Sequence, residues 1–252
     1  MQAKTIDEVI EILNQIVEDC KKNNNPLGYF AVLYRQVTCN VRDGIQNKQF
    51  DDNARMEQLD VHFANRYFKA YFDFKAQHPI TKSWEIAFLS SQKKYLVMQY
   101  LLQGINAHIN LDLGIATVLT CEGHSIEGIK KDFYGINTLL ASMVDGVQQQ
   151  IGAISPLFKI LMPLTRKWDD KLAQFTIELA RDGAWDFALQ YQASTNKDQL
   201  LVSRDKKIEQ LGFALVKPSL LFRWIVNTVL FFESGSVRKN MEILEGQVKG
   251  RV

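Results

Sequence analysis

YLLQGINAHINLDLGIATVLT, residues Tyr100–Thr120, is the stretch that decides the fold. It is proline-free, and its apolar residues recur every three or four positions, a spacing typical of a helix rather than a strand. On a helical wheel, four polar residues share one side, which we predict to face water: Gln103, Asn106, Asn110 and Thr117. His108 and Asp112 lie opposite, on the side predicted to be buried.

Helix start and stop signals surround this segment. Thr5 to Glu8 forms a capping box that opens a first helix to about Asn23, and Pro26 starts a second to about Gln46. Further helices are predicted at about 54–77, from 83, at 95–119 and 125–150, from the Ser155-Pro156 pair, at 169–193, 198–215 and 219–232, and after residue 236. No stretch alternates like a strand, so we predict one all-α domain over residues 1–252, a bundle of about eight to ten helices.

Composition excludes several classes of protein. The 252 residues carry 30 basic and 28 acidic side chains, a balance that argues against nucleic-acid binding. Three scattered cysteines and an N-terminus without a signal-peptide pattern favour a reduced, cytoplasmic protein. The most apolar run, residues 219–232, is shorter than the roughly 20 residues that cross a bilayer, so no transmembrane segment is predicted. A core helix or a homodimer contact suits this run better.

Buried ionisable groups are the main functional signal. His108 and Asp112 stand four residues apart on the predicted dry face, and Asp60 falls inside the apolar stripe of the third helix. Because a buried carboxylate must be paired, hydrogen-bonded or bound to a cation, these positions call for an explanation. We take His108, Asp112 and Asp60 as candidate catalytic residues.

The same residues would suit a metal site, since helical bundles bind metals through side chains on facing helices. Candidate ligands are His108, Asp112, Asp60 and Asp186, and one histidine with carboxylates favours a divalent iron, manganese or zinc ion. Asn137 and His124 are auxiliary candidates. Two other interpretations stay open: a metal-free acid/base pair, and a purely structural hydrogen-bond network with Arg66, Tyr34 or Tyr67 as partners.

Residues Gly104–Leu113, GINAHINLDL, resemble the signature of a bacterial all-helical family described only as a domain of unknown function. The later segment RDGAWDFA, residues 181–188, is similar too. The resemblance implies a fold that spans most of the chain, and it implies no activity, substrate or catalytic residue.

Function follows from the buried polar set and its apolar surroundings. Nucleotide-binding glycine motifs and the nucleophile elbow of α/β-hydrolases do not occur in the sequence. We predict an enzyme that acts on a small lipophilic substrate by hydrolysis or a related Lewis-acid or acid/base reaction. The alternative is a non-catalytic module that binds an apolar ligand or a protein partner.

Overall fold

A computed structural model describes residues 1–157, 177–216, 220–233 and 235–246. Over these ranges the chain forms ten helices and no strand, which confirms the all-α prediction. The first four helices are α1 Ile6–Lys22, α2 Gly28–Gln46, α3 Asn53–Lys75 and α4 Lys82–Leu89. The fifth, α5, is continuous through Val97–Ala107, His108–Leu113 and Gly114–Thr120. The others are α6 Lys130–Ile154, α7 Ile177–Ala193, α8 Lys197–Val216, α9 Leu220–Phe232 and α10 Val237–Leu244.

Side chains cap several helix starts, and the predicted cap Thr5 is one of them. The Thr5 hydroxyl accepts a hydrogen bond from the Glu8 amide, and the Asp52 carboxylate accepts one from Arg55. Ser125 caps the short 3₁₀ turn Ile126–Ile129 that leads into α6. Each cap satisfies an amide that the helix itself leaves unpaired. The helix expected from Ser155-Pro156 and the first residues of the one expected at 169–193 extend into 158–176, outside the described residues.

α5 is buried on both sides, so the prediction that one side faces water is wrong. Gln103 and Asn106 are each only 1% exposed. Their side-chain amides donate to backbone carbonyls of α8, Gln103 to Gly212 at 2.6 Å and Asn106 to Ile208 at 3.0 Å. Asn110 and Thr117 are buried as well. The polar side of α5 therefore faces the backbone of a neighbouring helix, which supplies the hydrogen bonds that water would otherwise supply.

The centre of α5 is wound as a π-helix over His108–Leu113. A π-helical turn holds more residues than an α-helical one, so a wheel drawn at about 100° per residue loses its phase beyond this segment. Leu119, which that wheel places on the same side as His108 and Asp112, is 43% exposed. π-helical turns are rare and occur often at functional sites, and this one contains both His108 and Asp112.

α2 and α5 approach closely at Gly104. A Cβ atom at this position would lie 2.3 Å from Cγ of Phe30, a buried residue of α2. The Phe30 ring packs edge-on against the His108 imidazole, with 5.8 Å between the ring centroids. The glycine therefore allows an aromatic residue of α2 to reach the histidine.

No helix in the described part of the chain is long and apolar enough to cross a membrane. Trp224 and Phe231 of α9 are 72% and 82% exposed. Part of the apolar run is thus on the surface, and its role as a homodimer contact stays a prediction.

Substitution Gly104→Ala is expected to lower the free energy of unfolding by about 1–3 kcal/mol, because the new methyl group displaces Phe30 from a packed core. The control is Gly146→Ala in α6, where nothing lies within 4 Å of the added atom. That change should stabilise the protein by about 0.5–1 kcal/mol through helix propensity. Urea denaturation measures both; equal effects of the two variants would contradict the close packing at Gly104.

Candidate active site

The Asp112 carboxylate gathers three donors from three helices. The Arg66 Nε of α3 lies 2.7 Å from Oδ1, and the Trp84 indole nitrogen of α4 lies 2.8 Å from Oδ2. The His108 Nδ1 lies 3.2 Å from the same Oδ2, within α5. Asp112 is 1% exposed. Arg66, expected as a partner of the buried pair, is therefore confirmed, and both carboxylate oxygens are occupied.

Aromatic rings surround the His108 imidazole. Phe63 of α3 stacks on its face, with centroids 3.5 Å apart and an interplanar angle of 5°. The Tyr34 ring lies edge-to-face with it, with centroids 4.6 Å apart, and the Tyr67 centroid lies 6.0 Å from that of the imidazole. The two tyrosines expected as hydrogen-bond partners are thus ring neighbours. The hydroxyl of each and the His108 Nε2 are buried without a hydrogen-bond partner.

Charge in this pair is set by burial and by Arg66. Burial lowers the pKa of His108 more than the nearby Asp112 raises it, so the pKa lies below its ordinary value. Burial works against ionisation of Asp112, but Arg66, His108 and Trp84 together hold its pKa below the usual range. At neutral pH the histidine is therefore neutral and the aspartate ionised. We assign the Nδ1 proton to the bond with Asp112, which leaves a bare lone pair on Nε2.

A cavity of about 280 Å³ adjoins His108. α2, α3, α5, α6 and α7 all contribute to its wall. Most described lining residues are aliphatic or aromatic; the polar ones are Tyr34, Asp60, His108, Gln148 and Arg181. A mostly apolar cavity with a few polar groups is the usual form of a site for a small molecule.

Asp60 lines the same cavity from α3. It is 8% exposed, and its Oδ2 is buried without a hydrogen-bond partner. Burial, with a smaller contribution from the charge of Glu57, raises the pKa of Asp60 to about 7. The carboxyl group therefore exchanges its proton near neutral pH, as a general acid or base must.

The structure separates the remaining candidates from this cavity. Asp186, a candidate metal ligand, lies exposed on α7. His124 is exposed in the loop after α5, with its Nδ1 3.2 Å from the Glu122 carbonyl oxygen. Asn137 of α6 is half-buried, and its Oδ1 has no hydrogen-bond partner, but the residue does not line the cavity. Of the candidates, the cavity brings together His108 and Asp60, with Asp112 behind the histidine.

The predicted metal ligands do not form a common site. Among the described residues, no three histidine, cysteine or acidic side chains are grouped so as to hold a metal ion. Both Asp112 oxygens accept protein hydrogen bonds, and Asp186 is exposed. The donor set does not fit a site with three protein ligands, so we derive no reaction step through a metal.

Three residues of the site had no signal in the sequence. Trp84 is one aromatic residue of a short helix, and nothing in its spacing marks its indole nitrogen as a partner of Asp112. Phe63 belongs to an ordinary apolar stripe. Arg181 stands in a helix with several charges, yet it is 4% exposed and lines the cavity. Only the packing of separate helices reveals these roles.

These features define the chain as an all-helical protein with a buried histidine–aspartate pair beside an apolar cavity. Residues 6–218 match the family of unknown function DUF5995, and the chain belongs to this family. The match confirms the resemblance carried by GINAHINLDL. No curated protein and no solved structure matches the chain significantly.

Substitution Asp112→Asn should lower the free energy of unfolding by about 2–4 kcal/mol, because it leaves Arg66 without its counter-charge and places an amide donor against other donors. A matched control is Asp73→Asn, which removes an ion pair with Lys69 on the surface of α3. Its effect should be much smaller, since exposed pairs contribute little. Similar losses in the two variants would show that the buried network does not stabilise the fold.

Asp60 should make the stability of the protein depend on pH. Its pKa in the folded state, about 7, is above that of the unfolded chain, so the folded protein binds an extra proton from about pH 4 to 7. Stability should therefore fall as pH rises through this window, by up to about 1.4 kcal/mol per pH unit. Urea unfolding of the parent and Asp60→Asn at several pH values measures this slope. A slope that is the same in both proteins would rule out the shift.

Proposed function

We propose that this protein is an enzyme that performs acid/base chemistry on a small lipophilic substrate inside its helical bundle. His108 acts as the general base, Asp112 as the residue that positions it, and Asp60 as the acid. The substrate occupies the cavity between α2, α3, α5, α6 and α7.

The observation that carries this proposal is the asymmetry of the His108 ring. Asp112 holds Nδ1, while Nε2 is buried without a partner in a residue that lines an apolar cavity. A neutral imidazole held in this way offers its lone pair in a fixed direction, which is what a general base requires. A buried acceptor without a hydrogen bond is costly, so a purely structural histidine would be expected to find a partner for Nε2.

Asp60 complements the base. With a pKa of about 7 it carries a proton on a substantial fraction of molecules at neutral pH, and that proton is available to a substrate oxygen. Two titratable groups in different environments, one behaving as base and one as acid, form the usual pair for proton transfer. The charge of Arg66 favours ionised Asp112, which in turn stabilises the imidazolium that forms during reaction.

The side chains in the cavity wall indicate which type of reaction the site can support. No serine, threonine or cysteine occurs among the described residues of the cavity wall, so these residues offer none of the usual hydroxyl or thiol nucleophiles. The chemistry that His108 and Asp60 support is proton transfer: His108 takes a proton from water or from the substrate, and Asp60 gives one to an oxygen of the substrate. Addition of water to an ester or epoxide bond uses both steps.

The second candidate function is binding without catalysis. It is favoured by the apolar character of the cavity and by the absence of an ordered nucleophile among its described residues. Under that hypothesis the cavity stores or presents a lipophilic molecule, and His108 and Asp60 only contact it. Turnover that depends on His108 distinguishes the two functions.

A divalent metal stays a prediction of the sequence. The His108 Nε2 and the Asp60 Oδ2 are buried without a hydrogen-bond partner in residues that line the cavity, and they would be its first ligands. Elemental analysis of protein purified without chelator, in the parent and in His108→Ala, decides the matter directly.

Substitution His108→Gln should lower the rate of product formation by about 10²–10⁴-fold, the usual contribution of a general base. The assay incubates the protein with a panel of lipophilic esters, lactones and epoxides, and mass spectrometry detects the addition of one water molecule. The matched control is His62→Gln on α3, because His62 does not line the cavity. This control should retain the parent rate.

Two results would contradict the enzyme proposal. Product formation at the parent rate in His108→Gln would remove the histidine from the mechanism. An absence of product from the parent with all three substrate classes would exclude water addition and leave the binding function.

A further inference from the structure

Arg181 of α7 is a buried cation in the wall of the cavity. It is 4% exposed, and its guanidinium group lies over the Phe133 ring, 4.6 Å from the centroid. One of its terminal nitrogens donates to the Phe133 carbonyl oxygen. Its Nε is buried and has no hydrogen-bond partner. Arg181 is not part of the acid/base machinery described above.

The charge of Arg181 lacks a direct counter-ion within the described residues. The neighbouring Asp182 is exposed and acts on Arg181 through space without forming an ion pair. Burial lowers the pKa of Arg181 to about 10, so the group remains protonated at neutral pH. An unpaired buried charge is unfavourable, and proteins normally compensate it with a carboxylate or phosphate.

The rest of the cavity wall is mostly apolar, so a counter-ion that binds there should also have an apolar part. Apart from Arg181, its described polar lining consists of Tyr34, Asp60, His108 and Gln148, and the rest is aliphatic or aromatic. His108 is neutral and Asp60 is only partly ionised at this pH, so Arg181 is the described lining residue that stays charged. A fitting ligand therefore combines an anionic end with a lipophilic remainder.

We infer that the cavity binds lipophilic monocarboxylic acids, with the ligand carboxylate paired to Arg181 and the hydrocarbon part against the apolar wall. A carboxylate suits the unpaired Nε, because guanidinium groups bind planar carboxylates through short, charge-assisted hydrogen bonds. The inference rests on the proposed function in that it takes this cavity as the substrate site. It adds that the substrate carries a carboxylate apart from the bond that reacts, and it names the residue that selects this group.

The test compares three ligands of equal chain length with the parent protein: decanoic acid, its methyl ester and decanol, by isothermal titration calorimetry at neutral pH. The acid should bind about ten- to a hundred-fold more tightly than the two neutral ligands, the contribution expected of a charge-assisted hydrogen bond. Equal affinity for all three would overturn the inference. Tighter binding of decyl phosphate than of decanoic acid would also overturn it, since phosphate would then be the selected group.

Substitution Arg181→Met keeps an unbranched chain of similar length and removes the charge, so the preference for the acid should fall to near one. The control Arg204→Met changes another partly buried arginine, which donates to the Asn110 and Gly183 carbonyl oxygens and lies outside the cavity wall. This variant should keep the preference. Retention of the full preference in Arg181→Met would contradict the role of Arg181.

If Arg181→Met does not fold, the three-ligand comparison on the parent and the variant Arg181→Lys decide the question. Lysine keeps the charge without the planar edge, and a reduced but measurable preference for the acid is expected. Failure of this inference is separable from failure of the proposed function. Turnover that depends on His108 without a preference for the acid would contradict only this inference. A preference for the acid without turnover would contradict only the proposed enzyme function.

Discussion

The buried carboxylate of Asp112 is the interaction on which the centre of this protein depends. Taking an ionised carboxylate out of water costs several kcal/mol unless other groups replace its hydration. Here the replacement comes from α3, α4 and α5 at once, through Arg66, Trp84 and His108. Since the three donors lie on three different helices, the carboxylate has all its hydrogen bonds only when α3, α4 and α5 are correctly placed. The same requirement fixes the orientation of the histidine.

Structural and functional interpretations of the buried pair are not exclusive. Asp112 is satisfied by protein donors, which is typical of a structural network. His108 is satisfied on Nδ1 alone, and the Asp60 Oδ2 has no partner. The polar atoms of Asp112 thus have hydrogen-bond partners, whereas the His108 Nε2 and the Asp60 Oδ2, in residues that line the cavity, have none. A substrate could bond to these unpaired atoms. A network that stabilises the fold on one side and leaves polar atoms unpaired on the other is the arrangement that a preorganised site needs.

The unpaired groups around the cavity lower the stability of the free protein. The buried Asp60 disfavours the folded state as pH rises, and the guanidinium of Arg181 is desolvated without a direct counter-ion among the described residues. Functional sites commonly carry such costs, because groups that must bind a ligand cannot also be fully bonded within the protein. Gly104 contributes in another way, since it lets Phe30 reach the histidine and helps to exclude water from it.

The sequence by itself determined that this protein is helical and that His108, Asp112 and Asp60 are buried. Both follow from local rules: capping residues mark helix starts, and a polar residue within an apolar stripe is carried into the core by its neighbours. Only the tertiary structure decided what those residues meet. Gln103 and Asn106 were expected in water and instead bond to the backbone of α8, Trp84 and Arg181 had no signal, and Asp186 is exposed. The physical reason is that a helical wheel divides one helix into faces, whereas hydrogen-bond partners depend on which other helix is placed against each face.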